Sequence, residues 1–210
     1  MRPMNLEKEI EKLEKEILER FDKIKDKIYP CLKSMETETK FQIEREEGTV
    51  TITLPHIPFL CNTTVFFVID DEAEEDLQLI QKRMLPLGTS EIELLNLAMK
   101  NLIRDCPFKL FLANYGGYAL QSSPNHTSSY ILFEPLWNKI ANEDLKDDLI
   151  IGVPARDAVL FVKASDTDSI HALKETVKMI YEDNFKALTS SLFYYDRESG
   201  KLSEWKEAGV

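Results

Sequence analysis

Residues 150 to 162 constrain this chain more than any other stretch. They read Ile150-Ile151-Gly152-Val153-Pro154-Ala155-Arg156-Asp157-Ala158-Val159-Leu160-Phe161-Val162. Two apolar, strand-like runs stand on either side of a short segment with a proline, an arginine and an aspartate. So short a connection between such runs is the pattern of a β-hairpin. Two such runs mark the centre of the sheet. Whatever else folds must pack around this pair.

The rest of the chain supplies further hairpins and a few helices. Lys40 to Arg45 and Thr49 to Leu54 alternate polar and apolar residues around a turn at Glu47-Gly48, and Pro55 and Pro58 close the pair. Thr63 to Ile69 is β-branched and aromatic, hence a strand, and Leu77 to Ile80 is read as its return. Ser90 and Glu93 have the spacing of a capping box, opening a helix that ends before Pro107. Phe108 to Ala113 and Tyr118 to Gln121 flank Asn114-Tyr115-Gly116-Gly117 as another hairpin. A polar loop from Ser122 to Ser129 leads to a short helix near Ile131 to Ile140. Asp166 or Asp168 caps a further helix, and a last hairpin turns at Glu198-Ser199-Gly200. Hairpins separated by helices predict an α+β fold: a mostly antiparallel sheet with helices on one face.

A long amphipathic helix precedes this body. Leu6, Ile10, Leu13, Ile17, Phe21, Ile24, Ile28 and Leu32 recur every three or four residues, which predicts a helix from about residue 5 to 33, ended or kinked by Pro30. Glu11 with Lys15, Glu16 with Arg20, and Glu19 with Lys23 place an acid four residues before a base, the favourable order. The stripe can pack on the body or on a partner helix, a homodimer included. The expected organisation is therefore an arm over 1–38 and a single α+β domain over 39–210.

Charge separates arm from body. The 210 residues carry a net charge of -11, yet residues 1–33 sum to +1 and the remainder to -12. A body this acidic excludes the basic face needed to hold nucleic acid and is repelled by anionic membrane surfaces. No apolar run approaches the roughly 20 residues that span a bilayer. The N-terminus turns charged at once, so the expected compartment is the cytoplasm. Cys31, Cys61 and Cys106 are widely spaced and odd in number, consistent with reduced thiols.

Four blocks, taken in order, resemble the bacterial domain-of-unknown-function family numbered 1444. They are Val65 to Asp70 followed by Leu79 to Leu85; Thr89, Glu91 and Glu93 with Ala98 to Leu102; Val153 to Asp157; and Leu188 to Leu202. The resemblance covers roughly residues 40 to 205. It departs where members carry Gly-Tyr-Asp-Ala-Ser-Arg before the short helix, since here Ser128-Ser129-Tyr130-Ile131-Leu132 stands in that region. It implies no catalytic residue and no cofactor.

Chemistry-bearing residues are few. Arg156 and Asp157 lie in a tight connection, where an arginine fork suits carboxylate or phosphate and an aspartate can orient a ligand or act as a base. They can equally be a turn in which both are satisfied locally. Arg83 and Asn101 are candidates for the same ligand pocket, or are structural hydrogen-bonders. Asp70 to Asp76 holds six acids in seven positions, a hard-cation pattern without the spaced ligands and glycine of an EF-hand. No Gly-x-Ser-x-Gly, HExxH or glycine-rich phosphate loop is present. Two functions follow. The first is a non-catalytic acidic module that binds a protein partner through the helix or an open sheet edge, needing no cofactor or metal. The second is an enzyme or small-ligand sensor built on Arg156 and Asp157.

Overall fold

The computed structural model describes residues 4–45, 48–71 and 77–207. It holds helices together with antiparallel sheets, the α+β class. The chain divides into two compact units of non-contiguous segments: residues 1–30, 38–57 and 66–103 in one, and 31–37, 58–65 and 104–210 in the other.

Helix α1 runs Met4–Ile24 and tightens into a 3-10 turn at Lys25–Lys27. It is shorter than expected, because Ile28 and Leu32 belong to strand β1, Ile28–Ser34. Pro30 removes an amide donor and clashes with the preceding turn of a helix. The surrounding Ile28, Tyr29, Cys31 and Leu32 are all buried, and a strand satisfies both constraints. Proline is tolerated there because β1 is the outermost strand of its sheet. Among the described residues, ion pairs on α1 are Lys12–Glu16 and Lys15–Glu19, at 3.9 and 4.0 Å and solvent-exposed, and Asp22 pairs with Lys25 at 2.8 Å. They contribute little to stability.

Strands β2 (Lys40–Arg45) and β3 (Gly48–Thr53) form a two-stranded hairpin with Phe41 opposite Ile52 and Ile43 opposite Val50. Glu47 of its expected turn lies outside the described residues. Strand β4 is His56–Pro58, and β5, Thr63–Ile69, is buried at all seven positions. The sheet order is β1-β5-β4, with β6 (Gln78–Leu79) antiparallel to β5. Ile52, Leu54 and Phe66 make a small core with Phe41 and Leu79 against it. Helix α2, Glu91–Asp105, opens on the expected capping box: the Ser90 amide donates to Glu93 Oε2 at 2.9 Å, and the Glu93 amide to Ser90 Oγ at 3.2 Å.

The second unit contains a six-stranded antiparallel sheet ordered β12-β11-β9-β10-β8-β7. Its strands are β7 (Lys109–Leu112), β8 (Tyr118–Gln121), β9 (Leu149–Ala155), β10 (Ala158–Lys163), β11 (Leu192–Asp196) and β12 (Lys201–Glu204). The β9–β10 hairpin is central, as its composition predicts, and all seven residues of β9 are buried. Helices lie on both faces of this sheet, where one face was expected. Helix α4 (Thr167–Asp183), capped by Asp166, sets Leu173 and Val177 against Ile150, Leu160, Val162 and Leu192. On the reverse side Trp137 of helix α3 (Glu134–Lys139) meets Phe161 edge-on at 5.5 Å. A strand apolar at every position has two faces to bury, so one layer of helix is not enough. Gly152 is the contact point with α4: a Cβ there would lie 2.3 Å from Val177 Cγ2. Among the described residues, no helix is long and apolar enough to cross a membrane.

Candidate functional site

In the first unit, Arg83 sits in a 3-10 turn at Lys82–Met84 between β6 and α2. Three local bonds set that turn. The Met84 amide donates to Gln81 O at 2.9 Å, the Gln81 amide to Met84 Sδ at 3.4 Å, and Arg83 Nε to Gln81 Oε1 at 2.7 Å. The guanidinium is exposed and lines a cavity of about 460 Å³ with Ile17, Arg20 and Ile24 of α1 and Gln78, Gln81 and Met84. Asn101 does different work. It lies on α2 at 1% exposure, and its Nδ2 donates to Lys25 O at 2.8 Å and Ile28 O at 2.9 Å. Both amide protons are thereby occupied by backbone, at the point where α1 gives way to β1. No donor is left for a ligand.

In the second unit, Arg156 and Asp157 are the two residues between β9 and β10, with Ala155 opposite Ala158. The turn is tied on both sides. The Arg156 amide donates to Lys186 O at 3.2 Å, and Arg156 O accepts from the Ser128 amide at 2.9 Å. Leu188 N–H donates to Pro154 O at 2.8 Å. Arg156 is half-buried and Asp157 exposed. Arg156 Nε and Ser128 Oγ are both buried without a hydrogen-bond partner among the described residues. The guanidinium acts electrostatically on Cys31: burial pushes that thiol up, and Arg156 opposes the shift.

The composition of Ser122 to Ser129 predicts a polar loop, yet His126, Thr127, Ser128 and Ser129 are at most 1% exposed. The His126 and Thr127 amides donate to Ser123 O at 2.9 and 3.0 Å and the Ser129 amide to His126 O at 3.0 Å, whereas the Ser128 amide reaches Arg156 O; Thr127 Oγ1 accepts from the Ser122 amide at 3.1 Å. The signal was the aromatic company that follows. Tyr130 is buried and donates to Cys106 O, and Trp137 Nε1 donates to Tyr130 O at 2.9 Å.

Several other titratable groups among the described residues are held by local contacts. His56 Nδ1 lies 3.1 Å from Leu54 O, and its ring stacks on Phe66. His171 is exposed on α4. The Cys61 thiol donates to Leu192 O at 3.3 Å, and burial, followed by the nearby Glu204 charge, pushes its pKa up to about 12. Tyr194 donates to Asp148 Oδ2 at 2.6 Å, and that carboxylate raises its pKa to about 12. Lys27 pairs with Asp71 at 2.7 Å; Glu72 to Asp76, the rest of the acidic run, lie outside the described residues. Among the described residues no three His, Cys, Asp or Glu side chains are grouped to hold a metal.

Among the described residues, exposed apolar side chains include groups on two elements. One is the stripe of α1, where Leu13 is 58% exposed while Ile17, Phe21 and Ile24 are half-buried. The other is β7, the outer strand of the six-stranded sheet, whose four residues are all exposed, Leu112 at 82%. The opposite edge, β12, carries Lys201, Ser203 and Glu204. Charged residues of that kind blunt an edge against further pairing, and β7 has only Lys109. Comparison of this chain with known protein families, with curated proteins and with solved structures finds no match.

Proposed function

We propose that this protein is a non-catalytic, acidic binding module whose docking surface is the β7 edge, where a protein partner adds an extended strand. One observation carries the reading: β7 is an edge strand in which Leu110, Phe111 and Leu112 are 40, 44 and 82% exposed. An exposed apolar edge is a template for strand addition, and natural proteins cover or charge edges that have no partner. Ladder alternation orients the backbone. The Ala113 amide donates to Gly117 O, so Phe111, two residues back, is hydrogen-bonded to β8 opposite Ala119. Leu110 and Leu112 therefore aim their N–H and C=O groups away from the sheet. Their side chains share one face and Phe111 takes the other, so an added strand meets apolar side chains on both sides. The net charge of -12 over residues 34–210 favours a partner strand flanked by lysine or arginine.

The test places a photo-crosslinking amino acid at position 112 of the full chain, expressed at native level. A reproducible heterologous adduct is expected, absent when the probe sits at Lys201 on the opposite edge and lost when Leu110→Lys is added. Adducts equal at both edges, or none, overturn the proposal. An adduct formed only between copies of this chain overturns it in favour of self-association.

A further inference from the structure

We propose that the cavity between α1 and the Arg83 turn is a binding site for a small amphiphilic acid, a compact apolar body bearing one carboxylate. Its volume of about 460 Å³ falls in the range of roughly 300–1,000 Å³ usual for small-ligand sites. Ile17, Ile24 and Met84 give it an apolar wall. Its polar lining is Arg20, Gln78, Gln81 and Arg83. Among the described residues the lining holds two cations and two carboxamides and no acid, in a chain that carries 37 acids to 26 lysines and arginines.

The neighbouring bases sharpen the contrast. Lys82, next to Arg83, is tied to Glu91 at 2.7 Å, and Lys27, just past α1, to Asp71 at 2.7 Å. Among the described residues, neither Arg20 nor Arg83 has a carboxylate partner. Arg83 is also oriented in advance, because Gln81 Oε1 holds its Nε at 2.7 Å and leaves the two terminal nitrogens to act. A guanidinium fork matches the two oxygens of a carboxylate, and fixing it beforehand lowers the cost of binding. The apolar wall then selects an acid with a hydrocarbon body over a bare anion such as acetate.

Titration calorimetry of the full chain with decanoate, below its micelle concentration, tests this. One site is expected, with acetate and decyltrimethylammonium giving no saturable heat. Arg83→Gln and Arg20→Gln are each expected to weaken decanoate at least about tenfold, the loss of one charge-assisted contact. Lys82→Gln, which alters a paired lysine outside the cavity lining, is expected to leave affinity unchanged. Both arginines are exposed, so the variants should fold, and circular dichroism checks that they do. No saturable decanoate binding, equal binding of the cationic amphiphile, or full affinity in the Arg20→Gln/Arg83→Gln double variant overturns the proposal.

Discussion

At the scale of single residues, Asn101 carries the clearest lesson. It was a ligand-site candidate because it is a polar residue near the end of a helix, a position where asparagine commonly caps. The structure places it instead on the buried face of α2, bonding Lys25 O and Ile28 O, which are more than 70 positions away in the chain. That distance is why the role was illegible: neither acceptor is a side chain, so no pattern of residue types records it. Replacing Asn101 with leucine leaves two carbonyls short of a donor and is expected to destabilise the fold by about 2–6 kcal/mol, from two lost bonds at about 1–3 kcal/mol each. Urea denaturation followed by circular dichroism measures it. A cost under about 0.5 kcal/mol would show that the two carbonyls find other donors. Arg156 is legible as an arginine in a tight connection, but the backbone ties of its turn to Ser128 and Lys186 are not foretold by the local sequence.

At the scale of elements, features written in short-range chemistry were readable. The Ser90–Glu93 box, the Asp166 cap and the Arg156-Asp157 turn stand where spacing put them. Ser90→Ala is expected to lower stability by about 1 kcal/mol, the usual worth of an N-cap, seen as a lower urea midpoint with an unchanged slope. The same box has a pH signature. Hydrogen bonds from Ser90 hold the Glu93 carboxyl below its ordinary value of 4.5. A depressed folded-state pKa means that the contribution is present above the ordinary carboxylate range and is lost as pH falls through the folded value. Glu93→Gln should therefore narrow its stability gap to the parent on acidification from pH 6 to pH 3; a gap that widens would rule this out. What misled at this scale was period. Ile28 and Leu32 continue the helical stripe of α1 by spacing alone, and only the proline between them, with burial on all sides, favours a strand.

At the scale of the whole molecule, the succession of hairpins and helices foretold the α+β class, while the interleaving of the two units along the chain left no trace in composition or linkers. All three cysteines are buried, with Cys106 the least so at 8% exposure. Burial raises the thiol pKa of Cys31 and Cys61, and the thiolate is the reactive form. Native protein is therefore expected to give essentially no fast reaction with Ellman's reagent at pH 8, and three thiols once unfolded in guanidinium. A full equivalent reacting at once in the native state would contradict this burial. The division of the chain also bears on heredity. The first unit takes residues on either side of 31–37 and of 58–65, which belong to the second. No single cut in the gene releases either unit intact, so neither can be copied, shuffled or fused elsewhere as a cassette.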